Sequence, residues 1–211
     1  MAAESDDLTF YYAPHSRAAT VAWMLEELGA PHKLEIFNLQ KGDHKSASYL
    51  AINPMGKVPA IKHRGTVVTE SAAICCYLAD EFSQAGLAPA IGDPARGAYL
   101  RWLFFSPSCI EPVMADRAFD RPLLNPSTVG HGDFDTVMSV LTDAVSQGDY
   151  LLGERFTAAD VVVGSAVRYG LMFGIFPKKP EFEAYAGRLA ARPALQRSMA
   201  RDQELAAAQQ S

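Results

Sequence analysis

One stretch constrains the fold more than any other: residues 8–39 run strand, helix, strand. Leu8–Tyr12 reads Leu-Thr-Phe-Tyr-Tyr, a β-forming run, and Pro14-His15-Ser16 makes a turn. Ala, Leu, Met and Glu dominate Ala18–Leu28, and Gly29 stands where a helix-ending glycine belongs. Leu34–Leu39 is a second β-rich run. Two strands separated by a helix pair in parallel, which predicts a β-α-β unit.

The pattern continues through a polar stretch, Gln40–Ser48, and a short helix at Ser46–Ala51. Val58–Lys62 and Thr66–Thr69 are short strands turning at Arg64-Gly65, and Glu70-Ser71 opens a helix over Ala72–Phe82. Ser83–Gly97 contains Gly86, Pro89, Gly92, Pro94 and Gly97, and reads as a linker. Beyond it the spacing predicts only helices: Ala95–Phe105, Val113–Phe119, Phe134–Ser146, Ala158–Phe173, Phe182–Ala190 and Pro193–Met199. Pro107 and Pro112 bend or interrupt the first two, Ser106-Pro107-Ser108 suggests a helix break, and Arg121–Gly132 is a loop. The expected fold class is therefore α/β plus all-α: a domain over 7–83, a linker over 84–94 and a helical domain over 95–205.

Charge and cysteine usage narrow the function. The 211 residues carry 19 basic and 24 acidic side chains, a net charge of −5, which argues against a nucleic-acid binder. No apolar run approaches the roughly 18 residues of a membrane span. Met1–Asp7 is acidic and polar, unlike a signal peptide, and reads as a frayed tail; the expected location is cytoplasmic. Cys75 and Cys76 are adjacent and Cys109 stands alone, without C-x-x-C or metal-ligand spacing. They read as small apolar residues in a reducing compartment, and no metal is expected.

Two features bear on chemistry. A strand that opens with proline, as at Val58-Pro59, is either an ordinary loop-to-strand junction or a cis turn that leaves the Val58 backbone free for an extended ligand. Glu70-Ser71 at a helix start is either a simple cap or an anion site, with the glutamate holding an ammonium. The second reading would recognise the zwitterionic end of an amino acid or γ-glutamyl group.

Taken with the element order, Asn53-Pro54-Met55-Gly56-Lys57-Val58-Pro59-Ala60 and Thr69-Glu70-Ser71-Ala72-Ala73-Ile74-Cys75-Cys76-Tyr77-Leu78 resemble the glutathione transferase family. So does Phe156-Thr157-Ala158-Ala159-Asp160, which resembles its helix-capping box, with Thr157 and Asp160 as structural caps and Phe156 stapled on Val161. The resemblance covers nearly the whole chain. It implies a thioredoxin-like domain that binds glutathione as co-substrate, and a helical domain that supplies an apolar pocket. Pro59 would be cis, Val58 would pair with the cysteinyl unit, and Glu70 and Ser71 would hold the γ-glutamyl end. Lys57, with Lys41 and His44 as weaker candidates, would meet a glutathione carboxylate.

The thiol-activating group has three candidates. Ser16 comes first, since His15-Ser16-Arg17 through Leu25-Glu26-Glu27-Leu28-Gly29 resembles bacterial members with a Ser-Arg pair before the helix. Ser16 is equally placed to cap that helix, and Arg17 to add positive potential. Tyr11 and Tyr12 are the alternatives; strand alternation sends them to opposite faces. Tyr11-Tyr12-Ala13-Pro14 resembles the beta-class start, but Arg17 occupies that class's cysteine position.

Tyr12, Tyr99, Trp102, Phe105, Met114 and Arg117 are the candidates for the electrophile pocket, against the commoner reading of a core stripe. The implied activity is transfer of the glutathione thiolate to an alkyl or aryl electrophile in detoxification, by a homodimer. The alternatives are a glutathione-dependent disulfide reductase or peroxidase, an isomerase, and a non-catalytic glutathione-binding protein.

Overall fold

The computed structural model describes residues 7–122 and 125–209. Most of the N-terminal tail, residues 1–6, and part of the 121–132 loop lie outside the described residues. The chain divides into two compact units, residues 7–85 together with 192–209, and 86–191.

In the first unit, β1 (Leu8–Tyr12), α1 (Ala18–Leu28) and β2 (Lys33–Ile36) form the expected parallel β-α-β unit, with Tyr12 opposite Ile36. β2 is shorter than predicted. From Phe37 onward the backbone leaves the ladder, although the Phe37 N–H still donates to the Tyr12 carbonyl (2.7 Å). Gly29, at φ 59°, closes α1, and the next amide reaches back to the Leu25 carbonyl at 3.2 Å.

The short helix α2 (Ala47–Leu50) precedes β3 (Ala60–His63) and β4 (Thr66–Thr69), an antiparallel pair followed by α3 (Ser71–Glu81). The sheet order is β2-β1-β3-β4. Strand alternation puts Phe10 and Tyr12 on one face, their rings 5.5 Å apart. Tyr11 lies on the other face, packed with Tyr49 of α2 and Ala60.

The second unit contains α4 (Arg96–Phe105), α5 (Glu111–Ala118), α6 (Phe134–Ser146), α7 (Ala158–Met172) and α8 (Pro180–Ala190). The break expected at Ser106-Pro107-Ser108 is absent. Residues 106–110 form a π-helical turn that carries α4 into α5. Pro107 lacks an N–H, and the Glu111 amide bonds the Ser106 carbonyl instead, so the wider register absorbs the missing donor. α6 buries Val137, Met138, Leu141 and Val145, as its periodicity predicts. α7 is apolar nearly all round, and Ala158 through Val167 are all buried, which makes it the centre of this unit.

A glycine lets the α7 end pack closely. A Cβ on Gly170 would stand 2.5–2.9 Å from three ring atoms of the buried Phe176. The ring atoms nearest the backbone are involved, so little rotation relieves the clash. Gly170→Ala is expected to cost about 1–3 kcal/mol, read as a lower thermal midpoint. An unchanged midpoint would refute this packing.

The last helix, α9 (Pro193–Ala208), is longer than the predicted Pro193–Met199. Sequence spacing groups it with the helical domain, but its contacts are with α1 in the first unit. Arg192 donates from Nε and Nη2 to the two carboxylate oxygens of Glu27, at 2.6 and 2.8 Å. Glu27 also accepts the Trp23 indole N–H at 2.8 Å, and Arg197 pairs with Glu26 at 2.8 Å.

Candidate functional site

Register alone gathers the site. Tyr11 pairs with Ala60, and Ala60 with Thr69. The C-terminal end of β1, the start of β3 and the end of β4 therefore meet at one end of the sheet. β2 ends there too, because Tyr12 lies opposite Ile36 in a parallel pair. The β1–α1 turn, the 37–46 loop, Val58-Pro59 and Glu70-Ser71 all emerge from that end.

The Val58–Pro59 peptide bond is cis, and β3 pairing begins only at Ala60. The Val58 N–H and C=O thus lie outside the ladder. The preceding loop is held from below: the Lys57 carbonyl accepts the Tyr49 hydroxyl (2.6 Å) and the Asn53 side-chain amide (2.8 Å). Burial pushes the Tyr49 phenol up to about 12, so it stays a donor at neutral pH. Gly56 at φ 57° is required, because a Cβ would lie 2.8 Å from the Lys45 ammonium and 2.9 Å from the His44 carbonyl.

Glu70 precedes α3 at φ 67°, ψ 121°, a region that non-glycine residues rarely occupy. Such a conformation costs on the order of 1–3 kcal/mol and is characteristic of ligand sites. Its side chain does not cap the helix, although its carbonyl accepts the Ile74 amide at 2.9 Å. The first-turn amides of α3, beside the half-buried Ser71, are left facing the sheet end as donors.

The three activating candidates are now separated. Tyr12 is 2% exposed and its hydroxyl donates to the Asp202 carboxylate of α9. That proton is already committed, so Tyr12 is not a free donor, and its ring lines a small cleft on the α9-covered face. Tyr11 lies on the Val58 side, and no described residue accepts its hydroxyl proton. Burial, and secondarily Glu35, raise its pKa, so it is a donor and not a base. The half-buried Ser16 donates to the Ala13 carbonyl (2.7 Å) and accepts the Ala18 amide (3.1 Å). It thereby satisfies the first amide of α1, although Arg17 holds the N-cap position, and it stands at the sheet end. Arg17, Lys41 and Lys57 are exposed, and His44 is half-buried.

Sequence reasoning missed Asp202, Tyr49, Asn53 and Lys45, whose ammonium donates to the Met55 carbonyl at 3.2 Å. Asn53 had a local signal, its place in the Asn-Pro-Met-Gly-Lys run. Asp202, almost two hundred residues from Tyr12, had none.

The pocket candidates do not form one set. Tyr99 is fully buried in the core of the helical unit, and Trp102 is nearly so, edge-on to Phe105. Trp102 lines a cleft of about 430 Å³ with Arg101, Asp143 and Tyr150. Arg117, exposed and stacked 4.5 Å over Phe134, lines another of about 580 Å³ with Asp116 and His131. Phe105 and Met114 are half-buried and line neither. The aromatic stripe of α4 is largely core, because helical spacing that faces α7 must be apolar whatever its function.

Thr157 and Asp160 form the expected capping box: Asp160 accepts the Thr157 amide (2.9 Å) and hydroxyl (3.2 Å). It accepts two further bonds, from the Leu151 amide (2.9 Å) and the Tyr185 hydroxyl (3.0 Å). The Phe156 ring packs edge-on against Tyr150.

The cysteines are free, with Cys75 fully buried and its thiol pushed far up by desolvation. Burial also raises Cys109. Among the described residues no cluster of His, Cys, Asp and Glu could hold a metal ion, and no helix is long and apolar enough to cross a membrane.

Family models for the glutathione S-transferase N-terminal and C-terminal domains match residues 16–81 and 132–193. Glutathione S-transferase theta-1 of Rattus norvegicus is 30% identical over 76% of this chain and 72% of its own length. A glutathione transferase from Methylococcus capsulatus superposes with a TM-score of 0.78 at 28% identity, covering 92% of this chain and 98% of its own. A family member from Pseudomonas fluorescens, solved with two glutathione bound, gives 0.74 at 26% identity, over 90% and 91%.

Proposed function

The chain belongs to the glutathione S-transferase family, and on that premise we propose that it joins the sulfur of glutathione to electrophilic, largely apolar small molecules. The observation that carries this reading is the meeting of the β1–α1 turn, Val58-Pro59 and Glu70-Ser71 at one sheet end. The family reading also takes the chain as a cytoplasmic homodimer serving detoxification.

The residues supply complementary groups for each part of the tripeptide. Glu70 meets the γ-glutamyl ammonium, and Ser71 with the α3 amides meets its carboxylate. The Val58 backbone pairs with the cysteinyl unit, and Lys57, Lys41 and His44 supply donors for the glycyl carboxylate. This holds the thiol at the start of α1, beside Ser16.

The chemistry needs a thiolate, and a free thiol with pKa near about 8.5 is only a few per cent ionised at neutral pH. A Ser16 proton turned from the Ala13 carbonyl to sulfur, together with the positive end of α1, favours the anion. The sulfur lone pair forms the C–S bond, the leaving group departs with its bonding pair, and the thiol proton passes to solvent. Positioning and pre-formed donors provide the acceleration. The raised thiols of Cys75 and Cys109 support a nucleophile that comes from the ligand.

The test is retention on immobilised glutathione, with conjugation of a chloronitrobenzene followed by absorbance. Wild type is expected to bind, and Glu70→Ala to weaken the dissociation constant roughly 10- to 100-fold, the loss of a charged contact. No retention of wild type, or equal retention of both, would contradict the site. Turnover of disulfides or hydroperoxides with none of aryl halides would replace transfer by reduction.

A further inference from the structure

The C-terminal helix reaches the β1–α1 turn through the Asp202 side chain. The Asp202 carboxylate accepts the Tyr12 hydroxyl, accepts the His15 amide (3.2 Å) and pairs with the His15 imidazole Nδ1 (3.1 Å). Its side chain is only 15% exposed. These contacts bracket Ala13 and Pro14, and the Ala13 carbonyl is the acceptor that orients Ser16.

We propose that Asp202 is a positioning residue for the thiol site: it clamps both ends of the turn so that the Ser16 hydroxyl keeps a fixed place between Ala13 and Ala18. The part concerning the thiol rests on the function proposed above. Three observations carry the clamp. His15 sits at φ 53°, a left-handed conformation that a side chain disfavours, and a charge-assisted bond to its amide offsets that cost. The carboxylate comes from an anchored element. On either side of it the C-terminal helix is tied down, by Arg197 to Glu26 and by the Gln209 side-chain amide, which donates to the Phe37 carbonyl at 3.0 Å. A side chain carried on a fixed helix holds its partner more tightly than one on a loop.

The third observation is the sign of the charge. A carboxylate beside an anion site opposes the thiolate, so charge alone gives no reason for Asp202 to be there. Its three contacts on Tyr12 and His15 do. Glu26, His32 and Arg201 line the small cleft beside Tyr12 and Asp202. Burial lowers the His32 pKa, so that ring contributes little positive charge at neutral pH.

The opposing signs make the test decisive. Amide hydrogen exchange on the ligand-free protein is measured for wild type, Asp202→Ala and Asp202→Asn. The thiol of bound glutathione is then titrated by its ultraviolet thiolate absorbance. In Asp202→Ala the His15 and Ala18 amides are expected to exchange at least about tenfold faster, while β3 and α3 amides keep their rates. The bound thiol pKa is expected to rise by about one unit, one misplaced donor.

Asp202→Asn keeps an acceptor oxygen and loses the charge, so it is expected to hold the Ala18 amide near its wild-type rate and not to raise the thiol pKa. It also serves if the alanine variant folds poorly: a thiol pKa raised in Asp202→Asn would then overturn the geometric role. Unchanged exchange in Asp202→Ala, or a thiol made more acidic in it, would overturn the proposal. The exchange arm needs no glutathione. Failure of wild type to bind glutathione therefore refutes the proposed function, while the clamp stands or falls on exchange.

Discussion

Asp160→Ala is expected to cost about 4 kcal/mol or more, enough to threaten the helical unit outright. The carboxylate is fully buried and accepts four bonds, from Thr157 N–H and Oγ1, Leu151 N–H and Tyr185 O–H. Alanine leaves those donors without an acceptor, in a place where water does not reach. Desolvation pushes the Asp160 pKa up while the four bonds oppose it, so the bonds are what make a charged group tolerable there. The same side chain joins three pieces: the α7 start, the 150–153 turn and α8. For a chain of this size the loss corresponds to a thermal midpoint lower by roughly 8–16 °C, measurable by calorimetry. Asp160→Asn, which keeps one acceptor oxygen, should lose about half as much. A shift under a few degrees for alanine would show that the box does not hold the unit together.

The second large effect concerns Ser16. On the proposed reading, Ser16→Ala lowers kcat/KM for aryl-halide conjugation roughly 10- to 100-fold, the value of one hydrogen bond to an anion. The bond to the Ala18 amide is lost as well, about 1 kcal/mol of stability, which a melting curve separates from the kinetic effect. Tyr12→Phe should weigh more on stability than on rate. It loses one part-buried bond to Asp202, costing about 1 kcal/mol, but keeps the His15 contacts, so kcat/KM falls less than in Ser16→Ala. Tyr11→Phe should do little to either. Full activity in Ser16→Ala with a collapse in Tyr11→Phe would move the activating role to Tyr11, whose hydroxyl faces the Val58 side of the sheet.

Much of the fold is legible because it is local. β1, α1, β4 and α6 carry their own spacing, caps and turn residues, and the structure reproduces their limits. Gly29, Arg64-Gly65 and the Thr157/Asp160 box are signals written within a few residues. Alternation also separates Tyr11 from Tyr12, but it does not say which face a distant helix will cover.

That information is carried by α9. Its final turns read Arg201-Asp202-Gln203-Glu204, which looks like a solvated face, and the apolar spacing fades after Met199. Asp202 and Arg192 acquire their meaning only from Tyr12 and Glu27, far away in sequence. The electrophile-pocket candidates scatter for a related reason. Tyr99 and Trp102 have the same spacing whether they face a core or a ligand, and α7 turns that face into core. The π turn at 106–110 escapes because two prolines so close together read as a stop, and only the Glu111–Ser106 bond reveals a continuous helix.

The most direct test of the central claim is a crystal structure with glutathione bound. The γ-glutamyl end is expected on Glu70 and Ser71, the cysteinyl backbone on Val58, and the sulfur within about 3.3 Å of Ser16 Oγ. Glutathione bound away from this end of the sheet, or with its sulfur turned to another donor, would contradict the claim.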